Sequence, residues 1–227
     1  IADADATGST ATEFNTINSA TTVAIDASAV TGLASDDIDD ITTLLTAAAD
    51  TDQFENGSFE NLATVVVADT SLTATELTDA IDDANTVTGT TDTVFTITAV
   101  DTITGSEANF SDLLDDETAE QISITDQALT VTGEISVANA NLLNGTTAGT
   151  VTATIDAGTR VDDLKTLNGT NAYTITIDGA DETGSTATEF NTINSATTVA
   201  IDASAVTGLA SDDIEDITTL LTAAADT

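Results

Sequence analysis

The chain has 227 residues, 40 of them Asp or Glu against 2 Lys or Arg, for a formal net charge of −38, and it holds no Cys, His, Met, Trp or Pro. That composition excludes thiol nucleophiles, imidazole bases, triad histidines and the usual zinc sites. Only Arg160 and Lys165 are cationic, so nucleic acid and anionic membrane surfaces would be repelled, and no apolar run approaches bilayer length. The same chain is 41% hydrophobic. Disorder needs high charge together with low hydrophobicity. Clusters such as Val65-Val66-Val67 and Tyr173-Thr174-Ile175-Thr176-Ile177 can bury a core, so an ordered fold is expected.

Near the start, Thr10-Ala11-Thr12-Glu13 reads as a capping box: the Thr hydroxyl accepts from the third residue's amide while the Glu reaches back. Apolar residues then fall at helical spacing at Ala11, Phe14 and Ile17, and again at Ile38, Ile41 and Leu45. Residues 50–62, with Phe54 and Phe59, fit no regular pattern and read as an insertion loop. A second capping box, Thr73-Ala74-Thr75-Glu76, opens a helix carrying Leu77 and Ile81, and a further helical pattern runs through Val161, Leu164 and Leu167. Asn144-Gly145 and Asn168-Gly169 are the expected helix stops.

Self-similarity is the dominant feature. Residues 7–51 recur as residues 183–227, an offset of 176 residues (Thr7 to Thr183), with one change, Asp39 to Glu215. Within that period a short β-branched run ends at or near Asp at Asp26, Asp69, Asp101, Asp126, Asp156, Asp178 and Asp202, six units averaging about 29 residues. Alternation at Val23/Ile25, Ile122/Ile124 and Ile175/Ile177 is that of a strand with one buried face. Stacked units of this size share a core. The expected fold is therefore one continuous repeat solenoid over 1–227, β-rich with short helices (a parallel α/β- or β-solenoid, in the limit a β-helix). Tandem Ig-like β-sandwiches, which need hairpins, are the alternative. The chain does not begin with Met and is read as an interior segment of a longer array.

The motifs Thr73-Ala74-Thr75-Glu76-Leu77 and Ala140-Asn141-Leu142-Leu143-Asn144-Gly145-Thr146 resemble two groups of repeats. One is the T-x-A-E-L-x-x-L-x-G type of phage tail fibres, the other the Thr/Asp-rich tandem repeats of giant secreted bacterial surface proteins and adhesins. The resemblance implies an extracellular, fibrous protein and carries over no catalytic residue.

Paired carboxylates abound, but the aromatic platforms of a glycosidase cleft are nearly missing, so catalytic residues are not assigned and no enzymatic activity is expected. No cofactor is required. Ca²⁺ is the one cation these hard oxygen ligands would suit, although no EF-hand or calcium β-roll motif is present. The densest candidate is Asp36, Asp37, Asp39 and Asp40, with its copy Asp212, Asp213, Glu215 and Asp216; the competing reading is acids at a helix N-terminus facing the macrodipole. The strand-ending Asp residues read as turn caps. Thr152/Thr154, Thr174/Thr176 and Thr96/Thr98 would set hydroxyls on one outward face. The expected function is a non-enzymatic structural segment of an extracellular fibre, adhesin stalk, sheath or surface layer, in a saline or marine setting, with neighbouring copies of the repeat and divalent cations as partners. A calcium-dependent adhesion module or an ice-binding module is the alternative.

Overall fold

A computed structural model describes residues 8–178 and 184–225. Thr7, Thr183, Asp226 and Thr227, the outermost residues of the duplicated segments, lie outside the described residues. The chain divides into two compact units, Ile1–Ile124 and Thr125–Thr227.

In the first unit the elements run α1 (Ala11–Ala20), β1 (Gly32–Asp36), α2 (Ile38–Ala48), β2 (Thr64–Val67), β3 (Ser71–Thr73), α3 (Ala74–Thr88), β4 (Val94–Thr96), β5 (Thr102–Gly105) and α4 (Glu107–Thr118). Strands β1, β2 and β4 pair in parallel, Leu33 opposite Val65 and Val65 opposite Phe95, while β3 pairs in parallel with β5. The helices pack in chain order, α1 on α2, α2 on α3 and α3 on α4. Each start is chemically specified. The boxes at Thr10/Glu13 and Thr73/Glu76 form as expected, and α4 opens on a third, Ser106 with Asn109 in the Glu position. Helix α3 ends on Gly89, whose φ of 69° is the left-handed stop that glycine accepts without strain. Leu77, Ala80, Ile81 and Ala84 form its buried stripe.

Residues 50–62 are part of this core. Phe54 and Phe59 are fully buried, and Phe59 meets both Phe14 and Phe54 edge-on at ring-centroid distances of 5.2 and 5.4 Å. The Ser58 hydroxyl donates to the Ile25 carbonyl and accepts from the Ala27 amide, fixing the segment on residues 25–27. Phe59 holds a φ of 59°, a conformation costing a bulky residue about 1–2 kcal/mol; burial of its ring offsets this.

The second unit runs β6 (Ala128–Ile135), α5 (Val137–Thr146), β7 (Val151–Ile155), α6 (Val161–Leu164), β8 (Ala172–Thr174), α7 (Ala187–Ser195) and α8 (Ile214–Ala225). Strands β6, β7 and β8 pair in parallel, and α7 packs on α6 and on α8. Tyr173 is fully buried; its hydroxyl donates to the Ala140 carbonyl and accepts from Asn171, and burial pushes its pKa up to about 12. Asn144-Gly145 does not stop α5, which continues to Thr146, because Gly145 keeps a helical conformation.

The expected architecture is corrected on both branches. The layout is α/β with parallel sheets and helices, not the expected repeat solenoid in either its α/β or its β form, and not a β-helix. Helices outweigh strands, β4, β3 and β8 are only three residues long, and β1–β2 and β6–β7 lose regular register part-way. Most of the β-branched runs were expected to be full strands. At Ile25 and Ile122 they make single bridges, because the capped helices around them take most of the chain into the helical layer. Tandem Ig-like sandwiches fail too, since the recorded strand pairings are parallel and sandwiches need antiparallel ladders.

Residues 147–149 lie against 125–127, with the Thr147 hydroxyl donating to the Gln127 carbonyl and the Ala148 amide to the Thr125 carbonyl. A Cβ on Gly149 would run into the backbone of Asp126 and Gln127, whereas one on Gly145 meets open space. Gly149→Ala is expected to destabilise the protein by about 1–3 kcal/mol. Gly145→Ala should be neutral or stabilising by up to about 1 kcal/mol. Urea unfolding of the two variants side by side checks both.

Candidate functional site

The sequence-derived acids gather at the N-terminus of α2, and backbone amides determine how. Asp37 is the N-cap and accepts from the Asp39 amide at 3.0 Å. Asp36 accepts from the Thr12 amide at 2.7 Å, the Thr12 hydroxyl at 3.1 Å and the Asp37 amide at 3.0 Å. The same Thr12 hydroxyl lies 2.9 Å from an Asp40 carboxylate oxygen, and Asn15 donates to the Asp40 carbonyl. The structure thus brings Asp36 and Asp40 together on one hydroxyl and engages Asp37 with the backbone of Asp39. Partial burial pushes the Asp36 carboxyl upward, but the donors from Thr12 and Asp37 outweigh it and hold the pKa below the ordinary carboxylate value.

The copy repeats the device. Asp212 accepts from the Thr188 amide at 2.8 Å, the Thr188 hydroxyl at 2.9 Å and the Asp213 amide at 2.9 Å, which hold its pKa low. Asn191 donates to the Asp216 carbonyl, and the Glu215 carbonyl accepts from Thr219. Among the described residues, no group of three or more acidic side chains is arranged to hold a metal ion.

Other acids are held the same way. Asp69 reaches the Ile38 amide at 2.8 Å, supplying a second carboxylate to the start of α2. Asp26 and Asp202 close turns on Ser28 and Ser204, and the hydroxyl and amide of those serines lower their pKa values. Lys165 bridges Asp162 at 2.6 Å and Glu189 at 2.8 Å, tying α6 to the capping box of α7. These bonds hold the amine above its usual range and both carboxylates below theirs.

No protein-family model matches the chain, and neither a curated protein nor a solved structure is similar to it. Its chemistry is read from its own geometry.

A set of side-chain amides escaped the sequence reading. Asn15, Asn141 and Asn191 each occupy the fifth position of a helix (α1, α5 and α7), and each donates to a carbonyl 25 residues further on, in Asp40, Thr166 and Asp216. Asn at a fixed helix position was the available signal. Asn85 and Gln121 make a reciprocal pair at 3.3 and 2.6 Å.

The expected hydroxyl face is interrupted. Thr154 stands beside Thr174 but opposite Glu134 on its other side, and Thr152 stands beside Thr130 but opposite Ala172. A hollow of about 560 Å³ beside Arg160 is lined by Asn141, Asp156, Thr159 and Asp163, and a second of about 480 Å³ by Asn15, Asn18, Asp52 and Gln53.

Asp116 differs from the other acids. Burial first, then the Asp82, Asp115 and Asp112 carboxylates, push its pKa up to about 6. The nearby Thr78 hydroxyl opposes this without cancelling it, and neither it nor the buried Asp116 Oδ2 has a hydrogen-bond partner of good geometry. Its folded pKa lies above the unfolded value, so its contribution is intact below about pH 4 and is lost as pH rises through about 6. Asp116→Asn is therefore expected to stabilise the protein at pH 7, by about 1 kcal/mol once solvent screening of a partly buried group is allowed for, and to give no gain at pH 4. Asp36 has the opposite sign: its contribution is present above the unfolded carboxylate pKa and lost as pH falls through the depressed one. Asp36→Ala should cost about 1–2 kcal/mol at pH 7, measured by urea unfolding at both pH values.

Proposed function

We propose that this chain is a non-enzymatic structural segment of a long extracellular assembly: a fibre, stalk, sheath or surface layer built from copies of its 176-residue period. The observation that carries this reading is the duplicated segment. Thr12–Asp36 and Asn15–Asp40 recur as Thr188–Asp212 and Asn191–Asp216 with the same partners and nearly the same distances. The second copy thus keeps these two ties of the first while standing at a different place in the chain.

The disposition of charge supports the same reading. Several carboxylates are engaged with helix N-termini and turns, and the chain as a whole carries a formal net charge of −38. Such a charge keeps long arrays soluble and apart, while salt screens it over a Debye length of about 8–10 Å near physiological strength. Divalent cations or high salt would then allow lateral packing.

Chains carrying one, two and three copies of the period, compared by small-angle X-ray scattering, test the proposal. The maximum dimension is expected to rise by a constant increment per added copy. A radius of gyration growing only as about the 0.38 power of chain length, as for a compact globule, would overturn it.

A further inference from the structure

Residues 38–48 and 214–224 differ only at Asp39 and Glu215, yet they lie in opposite environments. In α2, Ile38, Ile41, Leu44 and Leu45 are all buried, with α1 on one side and α3 on the other. In α8, which packs on α7, Ile214 is 78% exposed and Leu221, the counterpart of Leu45, is 64% exposed. The strand alongside behaves the same way. Residues 32–36 form β1 because β2 pairs with them, and Leu33 is 2% exposed. Their copy, residues 208–212, forms no strand, and Leu209 is 39% exposed.

The first copy shows what covers this face. Residues 52–88 supply β2 against β1, α3 against α2, the Asp69 carboxylate to the Ile38 amide, Asp83 to the Thr46 hydroxyl, and Phe59 to Phe14. The receiving groups have counterparts in the second copy at residues 208–212, α8, Ile214 and Thr222, while Phe190, the counterpart of Phe14, is already buried.

We propose that the α8 face, with the backbone edge at residues 208–212, is a docking surface whose occupant is a second copy of this chain's own residues 52–88. An intact second copy cannot supply it, because its residues 52–88 are already covered by its own α2. The occupant must arrive with residues 184–225 standing where 8–49 would otherwise stand. One segment then closes one period and opens the next, which sets the period at 176 residues. This inference rests on the proposed repeat assembly and names its joint.

The test is a chain in which a second copy of residues 52–178 follows Thr227, compared with the original chain by amide hydrogen exchange. Peptides from α8 are distinguished from those of α2 by the mass of Glu215. In the original chain α8 should exchange on the order of 10²-fold faster than α2, and in the extended chain it should slow to the α2 rate. Leu221→Asp should leave the melting temperature of the original chain within about 2 °C and abolish the protection gained in the extended chain, whereas Leu45→Asp should unfold the first unit. Unchanged α8 exchange in the extended chain would overturn the inference, even if scattering shows the particle lengthening. Protection of α8 in a particle that stays compact would uphold the joint and overturn only the fibre reading. A dimer of the original chain that Leu221→Asp dissolves would assign the face to α8 pairing and overturn the proposed occupant.

Discussion

Forty carboxylates and two cations leave this chain without the usual means of balancing charge, so backbone amides and hydroxyls take that part. A helix N-terminus offers unpaired N–H groups and the positive end of the macrodipole, and a carboxylate there is stabilised without any cation. Asp36, Asp37 and Asp69 converge on the start of α2 for this reason, and Glu13, Glu76 and Glu189 complete capping boxes. Where no donor is supplied the cost appears, as at Asp116, whose carboxyl is driven toward neutrality by burial and like charge. Helices α1, α2 and α7 each receive at their first turn a carboxylate from a residue outside the helix, Asp36, Asp69 and Asp212 respectively.

The second organising constraint is apolar. Burying a Leu or Ile side chain is worth about 1.5–3 kcal/mol, but only if something arrives to cover it. The duplicated segment separates what sequence dictates from what a neighbour dictates. Its capped helix and its Thr–Asp tie appear in both copies, so they are local. Strand β1 and the buried face of α2 appear only where β2 and α3 are present, so they belong to the neighbour. At the other face the roles reverse. Ile17 is 47% exposed while its copy Ile193 is fully buried, and Thr197 donates to the Tyr173 carbonyl.

This division explains what the sequence made legible. The capping boxes at Thr10 and Thr73, the stripes of α2 and α3, and the turn role of Asp26 and Asp202 depend on residues close in the chain and could be read, whereas Ile17 of the expected α1 stripe is exposed. The global architecture could not. Short β-branched runs do not say whether they become a strand or a single bridge, so the pattern suggests more strand and less helix than the structure holds. Phe54 and Phe59 show no regular pattern in the sequence because their partners, Ile25 and Phe14, lie about 30 or more residues away. The acids at 36–40 stand out in the sequence, and of these Asp37 caps α2 as an acid at a helix N-terminus would. What composition could not supply was the tie from Asp36 and Asp40 back to Thr12, which needs α1 and α2 side by side.

The most direct measurement is a carbon-13 NMR titration of the aspartate carboxyls, run in EDTA and again in Ca²⁺ at matched ionic strength. If backbone and hydroxyl donors hold the acids, Asp36 and Asp212 titrate below the ordinary carboxylate value and Asp116 near 6. Ca²⁺ then moves Asp36, Asp37, Asp39 and Asp40 no more than NaCl does. Ordinary titration of Asp36 and Asp212 in EDTA, with large Ca²⁺-specific shifts across residues 36–40, would contradict the account and make these carboxylates cation ligands instead.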